Sequence, residues 1–119
     1  MGTYCIKRTG TGYKFDLKAG NGETVATSEV YTTKAACLKG IQSVRTVAEI
    51  AGCADGETEE QVKNPKFVIF RDKRGYYRFR LLARNGKIVA RSEAYMTRYG
   101  CEKGIEAARR SALDGNIEE

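Results

Sequence analysis

The chain has 119 residues, with 21 Lys or Arg against 15 Asp or Glu, four cysteines and no histidine. This length suits one ordinary domain or two half-sized units that share a core, since a unit of about 55 residues is marginal alone. No apolar run approaches the roughly 18 residues that cross a membrane, the N-terminal MGTYCIKRTG lacks the apolar stretch of a secretory signal, and the missing histidine removes Ser-His-Asp and Cys-His catalysis.

Tyr4–Lys7 reads as a short strand and Thr9–Gly12 as a glycine-containing turn. The next strand alternates, with Tyr13, Phe15, Leu17 and Ala19 on one face and Lys14, Asp16 and Lys18 on the other. Asn21-Gly22 predicts a two-residue hairpin turn with positive φ at both centres, followed by a third strand over Glu23–Ser28. After Ser28-Glu29-Val30-Tyr31, Thr33 is placed to cap a helix whose apolar stripe is Cys37, Ile41, Val44 and Ala48. Gly40 sits inside that helix, where glycine costs about 1 kcal/mol relative to alanine. It is expected to mark a close approach of helix to sheet. Gly52, the acidic run Asp55–Glu60 and Asn64-Pro65 make most of 49–66 a connector, with room for a short strand before Phe67.

From Phe67 onward the chain repeats itself. A shift of 64 residues aligns the halves without a gap from Tyr4, and 18 of the 36 positions from Tyr13 to Ala48 match their counterparts. The second unit thus has a strand at Phe67–Arg71, a turn at Asp72–Gly75, and an alternating strand. Tyr77, Phe79, Leu81 and Ala83 face inward there, and Tyr76, Arg78, Arg80, Leu82 and Arg84 face outward. Asn85-Gly86, Ser92-Glu93-Ala94-Tyr95, Thr97 and the stripe Cys101, Ile105, Ala108 and Ala112 follow, with Gly104 inside the helix. Three strands and a helix leave an exposed sheet edge in each unit, which a symmetric pair removes by sharing one sheet.

The elements Tyr-x-Phe-x-Leu, Ala-x-Asn-Gly, Ser-Glu-x-Tyr and Cys-x-x-Gly-Ile stand at Tyr13–Gly22, Ser28–Tyr31 and Cys37–Ile41, and again at Tyr77–Gly86, Ser92–Tyr95 and Cys101–Ile105. They closely resemble the YegP-like family, also called DUF1508 or UPF0339, small proteins built from one or two copies of this unit. The resemblance implies an α+β fold: two tandem β-β-β-α-β repeats in a pseudo-twofold assembly, with a shared antiparallel sheet and helices packed on one face. The last strands, after Ala48 and after Ala112, are expected to be exchanged. The resemblance brings no catalytic residues with it. We therefore expect one compact domain over 1–119, with repeat 1 at 1–55, a connector at 56–66 and repeat 2 at 67–119, behaving as a monomeric pseudo-dimer. Asn21, Gly22, Ser28, Glu29, Tyr31 and Gly40, with Asn85, Gly86, Ser92, Glu93, Tyr95 and Gly104, are read as architectural.

Glu29 and Glu93 are the most tempting acids and Cys37 and Cys101 the most tempting thiols, but the first pair reads as a turn tie and the second as packing. Gly10-Thr11-Gly12 lacks the spacing of a phosphate-cradling loop. Cys5, Cys37, Cys53 and Cys101 form no Cys-x-x-Cys pair, which argues against a zinc site, and with no export signal and two of them at apolar helix positions, reduced, mostly buried thiols are expected rather than two disulfides. No catalytic residue, metal or cofactor is expected. Residues 1–55 hold seven cations and five anions, residues 67–119 twelve and seven. If the outward sheet face is open, Lys14, Lys18, Tyr76, Arg78, Arg80 and Arg84 form a basic face with an aromatic able to stack on a base. The sequence favours a cytoplasmic, non-enzymatic binding or adaptor module, with weak charge-directed RNA or DNA binding as the alternative. The partner is unknown, nucleic acid or protein being the two classes that fit, and no membrane contact is expected.

Overall fold

A computed structural model describes residues 2–56 and 62–119. In chain order the elements are β1 (Thr3–Arg8), β2 (Tyr13–Lys18), β3 (Thr24–Thr27), α1 (Lys34–Ala48), β4 (Gly52–Asp55), β5 (Lys66–Arg71), β6 (Tyr77–Leu82), β7 (Ile88–Arg91), α2 (Arg98–Asp114) and β8 (Asn116–Glu118). They form one sheet in the order β4-β5-β6-β7-β3-β2-β1-β8. β3 and β7 meet at its centre through the pair Thr27↔Arg91, residues at equivalent places in the two repeats, so a pseudo-twofold axis passes between them.

The last strand of each repeat lies in the other repeat's half of the sheet. β4 pairs with β5, and β8 with β1. The strand exchange is thus as expected, and the segment after Ala48 does hold a short strand. Both exchanged strands run parallel to their neighbours, so the sheet is mixed: antiparallel across the six central strands and parallel at the two edges. Neither parallel pair is joined by a tight hairpin, which would force antiparallel pairing: residues 56–65 separate β4 from β5, and β8 and β1 lie at opposite ends of the chain. Of the acidic run Asp55–Glu60, residues 57–60 lie outside the described residues.

Three local readings need correction. The halves do not align without a gap. Tyr4 pairs with Leu17 and Phe67 with Leu81, so β1 and β5 correspond at a shift of 63 while the following strands keep 64. The difference is one turn residue. The first hairpin closes through Thr9 N–H to Gly12 O, with the Thr9 hydroxyl accepting from the Thr11 and Gly12 amides. The second runs from Asp72 to Tyr76, with the Asp72 carboxylate accepting from the Arg74 and Tyr76 amides.

The Asn-Gly turns also differ from expectation. Within each turn only the glycine, Gly22 or Gly86, has positive φ, 87° and 83°, and among the described residues no non-glycine residue does. Ala19 O accepts from Gly22 N–H and Ala19 N–H donates to Glu23 O, so the loop is a three-residue type I turn closed by a glycine bulge. Asn21 instead holds the turn with its side chain, which accepts from Glu23 N–H.

Gly40 and Gly104 make room for a side chain, not for the sheet. A Cβ at either position would overlap the hydroxyl and ring of Tyr31 or Tyr95. Those rings lie against Phe15 and Phe79, at 6.5 Å between centroids. The Ser-Glu-x-Tyr motif positions them. Ser28 N–H donates to Phe15 O while its hydroxyl accepts from Phe15 N–H, and Ser92 repeats this on Phe79. Tyr31 and Tyr95 then pair backbone to backbone with Tyr13 and Tyr77.

Both helices pack on one face of the sheet, around Tyr4, Phe15, Leu17, Phe67, Phe79 and Leu81. The predicted stripes Cys37, Ile41, Val44, Ala48 and Cys101, Ile105, Ala108, Ala112 are all buried there. Each large side chain so buried contributes about 1.5–3 kcal/mol. Bulges opposite Leu17/Lys18 and Leu81/Leu82 let two successive residues, Val25-Ala26 and Val89-Ala90, sit in the core. Thr33 and Thr97 cap the helices as expected, accepting from Ala36 and Gly100 amides.

Candidate nucleic-acid interface

Among the described residues the sheet's other face carries no helix. A row of directly opposed residues crosses it: Cys5, Asp16, Thr27, Arg91, Arg80 and Val68. The pseudo-twofold axis lies between Thr27 and Arg91, so the row compares the repeats side by side. Asp16 in one half stands where Arg80 stands in the other.

On the first-repeat side Asp16 is buried and fully occupied. Its carboxylate accepts from Lys7 at 2.8 Å and from the Thr27 hydroxyl at 2.7 Å, with Lys14 at 3.9 Å. Burial pushes its pKa up, but the Lys7 and Thr27 hydrogen bonds and the two lysine charges outweigh that and hold it below the ordinary carboxylate value. This half of the face is closed on itself. Lys18, the other cation proposed here, ends β2 opposite Thr24.

On the second-repeat side the same places hold arginines. Arg78, Arg80 and Arg91 surround a depression of about 200 Å³ whose remaining lining is Phe70, Phe79 and Ser92. It opens where β7 ends and the chain turns away toward α2. Arg80 lies over the Phe70 ring at 4.0 Å, an attraction of about 0.5–1 kcal/mol at an exposed site that also fixes the guanidinium plane. Arg78 Nε donates to Asp72 at 2.8 Å, and this bond first of all holds the Asp72 carboxyl below its ordinary range. Arg91 pairs across the axis with Glu29.

The structure therefore brings Arg78 and Arg80 together and separates the other proposed residues from them. Tyr76 stands in the hairpin turn before β6, its amide bound to Asp72. Arg84 lies beyond the end of β6 and borders a groove with Lys39, Gln42, Ser43 and Thr46 of α1, on the helix side. Two residues that belong with the arginines were not named from the sequence. Phe70 was read only as part of a strand, although its alternation with the core residues Phe67 and Ile69 puts it on the outer face. Arg91 ends β7 at the axis, a place visible only once β3 and β7 are known to pair.

The residues considered for catalysis are engaged elsewhere. Glu29 binds Arg91, and Glu93 is exposed. Burial raises the Cys37 thiol and pushes the Cys101 thiol up to about 11, away from thiolate chemistry at neutral pH. Cys5 is half-buried and Cys53 is exposed on β4, so the expectation of mostly buried thiols holds for the helical pair only. Among the described residues no group of three His, Cys, Asp or Glu side chains is placed to hold a metal ion. No helix of the described chain is long and apolar enough to cross a membrane.

The exchange of edge strands has its own side-chain ties. Lys34 in the first turn of α1 pairs with Glu119 next to β8, and Arg98 in the first turn of α2 binds Asp55 of β4 at 2.7 Å. Arg45 of α1 donates to Gly115 O at 2.5 Å, and Arg109 of α2 donates to Ala48 O at 2.9 Å. These two arginines also lie over the Tyr4 and Phe67 rings, at 5.1 and 4.9 Å. The identity Arg45/Arg109 in the sequence thus reflects a reciprocal latch at the far end of the helices.

A family model described as a domain of unknown function, DUF1508, matches residues 9–55 and 72–119, one copy on each repeat. A UPF0339 protein of Photorhabdus laumondii is 39% identical over 118 residues, covering 98% of this chain and 92% of its own. The UPF0339 protein YegP of Escherichia coli K12 is 32% identical over 113 residues, covering 95% and 91%. Two solution structures share the fold. That of YegP from E. coli, described as a protein of unknown function, has a TM-score of 0.79 at 30% identity and covers 98% of this chain and 90% of its own. That of a UPF0339 protein from Shewanella oneidensis has a TM-score of 0.81 at 29% identity, with 98% and 89% covered.

Proposed function

Since the chain belongs to the DUF1508 (UPF0339) family, whose description assigns no activity, we propose from the site itself that it is a non-enzymatic binding module. Its ligand face is the helix-free side of the sheet, and its ligand is a nucleic acid. The observation that carries this reading is the cluster of Arg78, Arg80 and Arg91 beside Phe70 on that face. Guanidinium groups recognise phosphate with paired donors, and an aromatic ring offers bases an apolar neighbour.

The test is equilibrium binding to single- and double-stranded RNA and DNA at low and high salt. Binding that weakens with salt and on Arg78→Ala with Arg80→Ala supports the reading. Absence of binding at every salt concentration removes it and leaves a protein partner as the competing class.

We also read residues 1–119 as one folding unit that acts as a monomer. Support comes from the reciprocal pairing of β4 and β8 and from the latches of Arg45 and Arg109. One cooperative unfolding transition at the mass of a single chain is expected; two separate transitions would divide the repeats into independent domains.

A further inference from the structure

Resting on the nucleic-acid reading above, we propose that the depression between Arg78, Arg80 and Arg91 is a subsite for one phosphodiester group of an unpaired strand, with Arg80 as its principal donor. Charge accounting at the site favours this ligand. Three guanidinium groups face the depression, and two carboxylates, Asp72 and Glu29, each engage one of them. Among the described residues one positive charge is left over, and it belongs to Arg80, whose contact is the uncharged Phe70 ring. A single surplus charge matches the single negative charge of a phosphodiester.

The geometry of the donors supports the same assignment. Stacking on Phe70 occupies a face of the Arg80 guanidinium and leaves its N–H donors, which lie in the plane at its edge, directed sideways. Arg78 uses Nε for Asp72, so the N–H groups at its other end remain for a ligand. A cavity of about 200 Å³ admits a phosphate with part of its sugar. Val68 pairs opposite Arg80 and Phe70 opposite Arg78, which lays a half-buried apolar strip next to the cations. Exposed bases can lie on that strip, whereas a duplex keeps its bases stacked inside. An unpaired strand therefore uses both the charge and the apolar surface.

The first repeat supplies an internal control. Lys7, Lys14, Asp16 and Thr27 occupy the places of Phe70, Arg78, Arg80 and Arg91 there, and Asp16 holds the lysines. A ligand drawn merely by positive charge has cations on both halves. A ligand of this subsite binds only one.

The experiment is an NMR titration of isotopically labelled full-length protein with inorganic phosphate and, separately, with an eight-residue oligothymidylate. The proposal expects saturable shifts of the Arg80 and Arg91 side-chain N–H signals and of amides 78–80 and 91–92 with both probes. Arg80→Ala should weaken the oligonucleotide on the order of tenfold and reduce the salt slope by about 0.7. Lys14→Ala should leave both unchanged. Oligonucleotide binding that shifts signals elsewhere and ignores Arg80→Ala overturns the subsite while leaving the broader reading standing. Shifts with phosphate but none with the oligonucleotide overturn the assignment to a nucleic-acid strand, and silence with both probes removes subsite and reading together. Unchanged amide spectra outside the site show that each variant is folded.

Discussion

The inner and outer faces of the sheet treat the repeat differently. On the inner face Phe15 and Phe79, Leu17 and Leu81, Ile41 and Ile105 take the same places, because a shared core demands similar volumes on either side of the axis. On the outer face Asp16 stands against Arg80, Thr27 against Arg91 and Lys7 against Phe70. Packing preserves the symmetry where helices cover the sheet. Where no helix imposes it, one half gathers Lys7 and Lys14 on the buried Asp16, while the other leaves the Arg80 guanidinium against the uncharged Phe70 ring.

If that contrast is right, inner-face substitutions should act alike in the two repeats and outer-face substitutions should not. The largest effect is expected in the core. Phe15→Ala and Phe79→Ala should each destabilise by about 3–5 kcal/mol, measured by urea unfolding, and a difference of several kcal/mol between them would break the inner symmetry. Gly40→Ala and Gly104→Ala come next. Each removes a helix-interior glycine worth about 1 kcal/mol, yet drives a methyl group into Tyr31 or Tyr95, so a net loss of about 1–3 kcal/mol is expected in both. A gain in stability would mean that the tyrosine yields.

A smaller effect distinguishes the outer halves. Asp16 has a folded pKa below its ordinary 3.8, so its contribution is present above that pH and lost as pH falls through the depressed value. Asp16→Asn should therefore lower stability at neutral pH by about 2 kcal/mol and flatten its decline in acid, as followed by thermal unfolding between pH 7 and pH 2. An unchanged acid limb would mean that the ion pairs around Asp16 do not close that half. Tyr4→Phe, which removes the hydroxyl donated to Ala112 O, should cost about 1 kcal/mol and leave ligand binding untouched.

Much of this fold was legible because the signals are local. Alternation placed Phe79 and Leu81 inward, and the spacing of Cys101, Ile105, Ala108 and Ala112 fixed the buried side of α2. The turn at Thr9–Gly12 was read correctly, but the gapless alignment failed at the second hairpin, where Asp72 closes its loop one residue later than Thr9 does, a choice made by side-chain hydrogen bonds rather than by composition. Contacts such as Arg45 to Gly115 and Arg109 to Ala48 join residues more than 60 positions apart, and no local pattern announces them. For the site, alternation found Arg78 and Arg80 but carried on past the end of β6 to include Arg84. Applying the same period to β5 would have added Phe70.

The central claim is that placement of charge, not its total, makes the second half of the open face a binding site. The most direct measurement is an oligonucleotide footprint by NMR on a reciprocal variant, Asp16→Arg and Thr27→Arg combined with Arg80→Asp and Arg91→Thr, which leaves the net charge of +6 unchanged. The footprint should leave residues 78–80 and 91–92 and appear around 14–16 and 27–28. A footprint that stays where it was, or spreads evenly over both halves, would contradict the account.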